Sequence, residues 1–297
     1  MPSLKEVRGR IESVKSTQQI TKAMKMVAAA KLRRAQDNIL RMRPYAQRLT
    51  GILSNLSRQA DDSMTSEFSQ EREINRVLVI LVTSDRGLAG AFNSNIVKAT
   101  NNLVNERFGR QMAAGNVEYM AIGKKGMDYV RKRNFQTVGD YTHVFQSLSF
   151  DTVRAAAEQA MDGFRTGYYD AVFVVYNEFK NTATQIVRTD QFLPIVQLPE
   201  TNVQAASTNL DYVFEPNKED IIRELIPKVL KMQVYKAVLE SNASEHGARM
   251  TAMDKATDNA GELLKELRLT YNRARQANIT KEILEIVGGA EALAASK

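Results

Sequence analysis

Ser84-Asp85-Arg86-Gly87-Leu88-Ala89-Gly90 is the stretch with the most chemical promise. It follows an apolar run and precedes a helical pattern, where backbone N–H groups at a helix N-terminus could cradle a phosphate. It has neither the three-glycine dinucleotide fingerprint nor the GK[ST] ending of a phosphate loop. The alternative is a tight strand-to-helix turn with Asp85 as a local cap.

Other chemistry is scarce. The chain has no cysteine and only two histidines, His143 and His246, which excludes thiol redox chemistry, disulfides and a His-rich metal site. His246 falls on an apolar seam beside Glu245, where a histidine reads as a packed polar residue that fixes register. His143 stands alone in a loop-like stretch. No carboxylate pair stands out from solvated helix faces, and no Ser–His–Asp set can be assembled. No catalytic residue, cofactor or metal ligand is expected.

The charge carries more information. The formal total is +7, but residues 1–58 hold thirteen cations against three anions, so that segment is +10 and the remaining 239 residues sum to −3. A basic element of this kind points to an acidic partner. One reading is nucleic acid. Against it, the cations surround an apolar stripe, aromatics are absent from the first 44 residues and no nucleic-acid motif appears. The other reading is docking onto acidic protein loops.

The elements that position these residues follow from periodicity. Leu225, Val229, Met232, Leu239, Ala243, Met250, Met253, Ala260, Leu264, Leu267, Tyr271 and Ala274 step by fours and threes, a heptad seam sustained beyond the minimum for a coiled coil. A helix over about 220–286 would be on the order of 100 Å long. At the other end, Ser3 and Glu6 have capping-box spacing. Leu4, Val7, Ile11, Val14, Thr21, Ala28, Leu32, Ala35, Ile39 and Met42 form a second seam, and Ile20, Met24 and Val27 are expected to widen it. Pro44 should kink or interrupt this helix, although the pattern resumes through Leu49, Ile52, Leu53 and Leu56. Met24, Met26, Met232, Met250 and Met253 are expected to fill the interior. Neither helix can bury its stripe alone, so an antiparallel pairing is expected.

Between them, after a polar stretch at Gln59–Glu73, the pattern predicts strands at Arg76–Thr83, Val117–Ile122, Ala171–Tyr176 and Thr184–Val196. Helices are predicted at Asn93–Phe108, Lys124–Arg133 and Phe150–Phe164. That order is α/β, with a small, largely parallel sheet. Pro199–Asn209 reads as a loop. The expected organisation is a helix over 1–58, an inserted Rossmann-like α/β domain over 74–198 and a helix over 216–289. No apolar run approaches the length that spans a bilayer, and the N-terminus lacks the apolar core of a signal peptide; an intracellular chain is expected.

Three segments carry a family resemblance. The runs from Ile11 to Lys31 (IESVKSTQQITKAMKMVAAAK), from Thr83 to Asn93 (TSDRGLAGAFN) and from Leu267 to Ala290 (LRLTYNRARQANITKEILEIVGGA) resemble the gamma subunits of F-type ATP synthases, in order and across the whole chain. The resemblance implies a non-catalytic central stalk. Its coil would turn inside a hexamer of alpha and beta subunits, and its foot would bind epsilon and the c-subunit ring. No nucleic acid is implied, and membrane contact comes only through the complex.

Carried over by motif, Arg275 and Gln276 would engage a beta-subunit catch loop, with Met24 on the facing helix and Arg249, Thr280 and Glu285 at positions linked to coupling. Ile279, Ile283, Ile286 and Val287 would form an apolar bearing tip. Tyr212, Phe214 and Glu215 would lie in the foot near the c ring. The lack of cysteine sets the chain apart from photosynthetic relatives, and the signature's start near Met1 leaves no room for a transit peptide. A bacterial protein, peripheral on the cytoplasmic face of the inner membrane, is the implied setting.

Overall fold

The computed structural model describes residues 3–58, 67–195 and 218–295. The expected loop at 199–209, most of the linker after 58, and the boundaries at 198 and 216 lie outside them. Contacts divide the chain into two units, Ala28–Arg249 and Met1–Val27 with Met250–Lys297.

In chain order the elements are α1 (Leu4–Arg58), β1 (Val77–Val82), α2 (Phe92–Arg107), α3 (Gly109–Ala113), β2 (Val117–Ile122), α4 (Lys124–Lys132), β3 (Gln136–Thr137), α5 (Phe150–Arg165), β4 (Ala171–Phe179), β5 (Gln185–Leu193) and α6 (Lys218–Ala295). The predicted strands and helices are all present, most within a residue or two of their expected ends. The two-residue β3 and the short α3 carry no usable period and were not expected.

The larger unit is built on a five-stranded sheet of order β3-β2-β1-β4-β5. β1 pairs parallel with β2 and β4, and β2 with β3. β5 runs antiparallel to β4, because the five residues between them suit only a hairpin. Asn181 closes that hairpin: its Oδ1 accepts the N–H groups of Ala183 and Thr184. Every residue of β1 is buried, since a parallel central strand is covered on both faces. Leu78, Ile80 and Val82 pack toward α5 and α6, with Val153, Phe164, Val234 and Val238. Val77, Val79 and Leu81 pack toward α2 and α4, with Phe92, Ile96, Met127 and Val130. Full burial of each such side chain is worth roughly 1.5–3 kcal/mol.

The helices bury the predicted seams in part, with Leu4, Ile11, Val14, Met250, Leu267, Tyr271 and Ala274 only half-buried. In the larger unit Leu32, Ala35, Ile39, Met42 and Leu49 of α1 meet Met232, Leu239 and Ala243 of α6. One surprise is how completely α6 is covered here. Every residue from Ala237 to Ala248 is buried except the half-buried Asn242, because α6 packs against α1 on one side and the sheet on the other. The small residues Ala237, Ser241, Ala243, Ser244, Gly247 and Ala248 permit that approach.

In the smaller unit α1 and α6 run antiparallel. Lys25 pairs with Asp254, Gln18 donates to the Thr257 carbonyl at 3.4 Å, and the hydroxyls of Thr257 and Thr21 lie 2.8 Å apart. A Cβ on Gly261 would stand 3.0 Å from Gln18 Nε2, the free end of that side chain.

Three expectations need correction. Pro44 does not interrupt α1, which continues through it to Arg58 as the resumed pattern suggests; Met42 and Leu49 on either side of it are buried, and that packing outweighs one missing backbone donor. Ile20 and Val27 do not widen the stripe but stand 57% exposed, and Met26, at 62%, fills no interior; a two-helix pair covers only one narrow seam. The capping box is half made: Glu6 N–H donates to Ser3 Oγ at 3.3 Å, while the Glu6 carboxylate turns to Arg10.

Candidate functional site

The 84–90 turn is held by its own side chains. Ser84 N–H donates to Asn93 Oδ1 at 3.0 Å, and Ser84 Oγ donates to the Arg86 carbonyl at 2.7 Å. Asp85 is a cap, though not a local one: its Oδ1 accepts the Lys124 N–H at 3.1 Å and so serves α4, thirty-nine residues on. Two backbone N–H groups beside the turn, those of Ser84 and Lys124, are therefore already engaged.

The turn's carbonyls face a cation instead. Arg249 Nη1 donates to the Gly87 carbonyl at 2.6 Å and Nη2 to the Arg86 carbonyl at 3.4 Å. The same guanidinium pairs with Glu245 one helical turn back, and their side chains are only 11% and 8% exposed. Burial raises the Glu245 carboxyl above its ordinary value, and Arg249 works against that rise. Next to it, His246 is buried, with no hydrogen-bond partner on Nδ1. Burial, then the nearby charges of Lys31 and Arg249, push its pKa down to about 4, so it packs as a neutral ring. His143 is exposed, before a short 3-10 turn.

Two hydroxyls of α6 reach the carboxyl ends of the strands. Ser241 Oγ donates to the Val82 carbonyl at 3.4 Å and Ser244 Oγ to the Asn177 carbonyl at 3.1 Å. Glu240 accepts the Phe179 N–H at 3.2 Å. Sequence reasoning did not single out Ser241, Ser244 or Glu240. The signal available was the run of small residues at three- and four-residue spacing from Ala237 to Ala248, which marks a helix packed on more than one side.

The other expected site residues fall in the smaller unit. Met24 is half-buried on α1. On α6, every residue from Arg275 to Ala290 is exposed. That stretch includes Arg275 and Gln276; Thr280, whose hydroxyl donates to the Gln276 carbonyl at 3.0 Å; and Glu285, 3.6 Å from Lys281. Its apolar members are bare as well: Ile279 is 47% exposed, Ile283 55%, Leu284 65%, Ile286 71% and Val287 48%. Thus Arg275, Gln276, Thr280 and Glu285 share one helical stretch, and Arg249 belongs to the other unit, turned onto its own chain. Tyr212, Phe214 and Glu215 lie outside the described residues. The α1 cations Arg8, Arg10, Lys15, Lys22, Arg33, Arg34 and Arg41 are exposed.

Among the described residues no helix is long and apolar enough to cross a membrane, and no cluster of three or more His, Asp or Glu could hold a metal ion.

Comparisons with known proteins bear on the whole chain. Residues 3–293 match the family described as ATP synthase. The ATP synthase gamma chain of Cytophaga hutchinsonii is 61% identical over 99% of both chains. That of Flavobacterium psychrophilum is 55% identical and that of Chlorobaculum tepidum 50%, each over 99% of both chains. Among solved structures, a chain of the Tetrahymena thermophila mitochondrial ATP synthase central stalk and c-ring is 27% identical with a TM-score of 0.56, covering 80% of this chain and 99% of that one. A chain of the Euglena gracilis mitochondrial enzyme, 22% identical, superposes with a TM-score of 0.66 over 99% of this chain and 95% of that one. That second likeness shows the fold alone.

Proposed function

The chain belongs to the ATP synthase gamma-chain family, the non-catalytic rotor of the F-type enzyme, and on that premise we propose how its parts share the work. The exposed end of α6 turns inside a sleeve of alternating alpha and beta subunits. The α/β sheet and the lower turns of the helices form the foot, which binds epsilon and the c-subunit ring. Ion flow turns the ring, the ring turns this chain, and the beta subunits make ATP.

One observation carries the reading: five large apolar side chains between Ile279 and Val287 stand 47–71% exposed on an ordered helix. Contiguous apolar surface of this kind marks an interaction site. Apolar contact is non-directional, so it holds an axle without fixing its angle. Ile279, Ile283, Ile286 and Val287 are the bearing tip in this proposal. Arg275 and Gln276, just below it, supply directional hydrogen bonds to a beta-subunit catch, with Met24, Thr280 and Glu285 tuning that contact. Each beta subunit meets a different face of two unlike helices, and so is biased toward a different conformation by its differential contacts.

The exposed cations of α1 suit acidic loops on the beta subunits, which accounts for the +10 segment without nucleic acid. No membrane segment is needed if the chain reaches the bilayer only through the c ring. The bacterial relatives favour the cytoplasmic face of the inner membrane.

The test is the double change Arg275→Ala/Gln276→Ala in inverted membrane vesicles. Both are long polar side chains on an exposed helix face, where alanine is well tolerated, so the fold should survive. ATP synthesis driven by an ion gradient should fall several-fold while assembly persists. Unchanged synthesis would remove the catch from this account.

A further inference from the structure

In an open sheet of order β3-β2-β1-β4, ligands bind outside the carboxyl ends of β1 and β4, where the connections diverge. Here that crevice is taken by the chain itself. Ser241 and Ser244 cap the Val82 and Asn177 carbonyls, and the Arg249 guanidinium reaches the Gly87 and Arg86 carbonyls of the turn above β1. We propose that Arg249 is a positioning residue that locks this turn onto α6, so that the helix and the α/β sheet turn as one body and torque passes between them. The proposal rests on the rotor reading above.

The geometry has the features of a lock. Glu245 holds the guanidinium from one turn away on the same helix, both side chains being nearly buried. A buried ion pair contributes little net stability, because desolvation offsets attraction; what it does provide is direction. The guanidinium's planar fork spans two successive carbonyls, and those carbonyls directly precede Leu88. Leu88 has φ of 64° and is 66% exposed. A leucine gains nothing from that left-handed backbone, which costs on the order of 1 kcal/mol. Its side chain is too exposed for packing to compensate, so the neighbouring contacts hold it. Asp85, the other carboxylate facing this cluster, has one oxygen engaged by Lys124 N–H and leaves Arg249 to Glu245.

The test uses Arg249→Ala, Arg249→Lys and the double change Glu245→Gln/Arg249→Met, which removes the lock without stranding a buried carboxylate if the alanine variant folds poorly. In the isolated chain, amide hydrogen exchange at Phe92 and Lys124, whose N–H groups donate to the Ala89 carbonyl and Asp85 Oδ1 of this turn, should quicken at least tenfold in Arg249→Ala and the double variant. Arg249→Lys, which keeps the charge but cannot span both carbonyls, should fall between. In the assembled complex in vesicles, ions pumped per ATP hydrolysed should drop at least threefold while hydrolysis stays within twofold, with partial rescue by lysine. Unchanged exchange would show that Arg249 does not hold the turn. Faster exchange with an unchanged pumping ratio would show that the turn is held but carries no torque. A wild-type complex that hydrolyses ATP without pumping would instead refute the rotor reading, and the exchange result would still judge the lock.

Discussion

The middle and the end of α6 belong to one helix and have opposite surroundings. From Ala237 to Ala248 almost nothing reaches solvent, and from Arg275 to Ala290 everything does. The middle has small residues, buried serines and a buried Glu245–Arg249 pair. The end has Ile, Leu and Val on the outside and nothing beside Gly288 or Gly289. Helix stability in proteins comes mostly from packing, so the middle is fixed by its own chain and the end awaits another. A buried middle and a bare apolar end share one helix.

The widest test of that contrast places the same charge in both regions. Val234→Asp, at a fully buried position, should cost upwards of roughly 4 kcal/mol or prevent folding, since an unpaired carboxylate cannot stay charged in an apolar core. Ile286→Asp, at a position 71% exposed, should leave the isolated chain within about 0.5 kcal/mol of wild type. Urea unfolding of both would decide, and a large loss from Ile286→Asp would mean the end is packed after all. A gentler pair sharpens the same point. Leu239→Ala should cost about 2–5 kcal/mol through cavity formation, and Leu284→Ala about 0.5 kcal/mol or less.

Acid should act on the middle of α6 through His246. His246 has its pKa pushed down to about 4 by burial, below its ordinary value near 6.5. The unfolded chain therefore takes up a proton that the folded chain refuses, and stability falls between about pH 6.5 and pH 4 by up to roughly 3 kcal/mol. Burial raises Glu240 and Glu245; their folded forms hold protons more tightly, so they push the other way and blunt the loss. His246→Gln should flatten the decline seen by thermal unfolding across that window, and an unaltered slope would assign it to other groups. A small effect is also expected at the partly exposed seam of the smaller unit. Removing the partly exposed Lys25–Asp254 pair should cost about 0.2–1 kcal/mol and vanish in high salt.

Most of this fold was legible because its signals are periodic. The seams from Leu4 to Met42 and from Leu225 to Ala274 gave both long helices, and RVLVILVT gave the central strand. What escaped depends on neighbours that a single helix pattern does not encode. Ile20 and Val27 look like a second apolar row, but only a third helix would have covered them. Asp85 has a capping side chain, yet its partner, Lys124 N–H, is brought near by the parallel pairing of β1 with β2. Arg249 entered by family resemblance as a coupling position; its hold on Gly87 comes from tertiary packing that spacing cannot express. The exposed end from Arg275 was readable as apolar, but its bareness followed only once α1 and α6 were paired.

The central claim is that this chain turns as an axle, anchored through the middle of α6 and borne at its end. The most direct measurement assembles it with alpha and beta subunits, fixes them to a surface and attaches a bead to the α/β sheet. With ATP supplied, the account predicts sustained rotation in one direction, stopping when ATP is withdrawn. A stable complex that hydrolyses ATP with the bead stationary, or only jittering about a fixed angle, would contradict it.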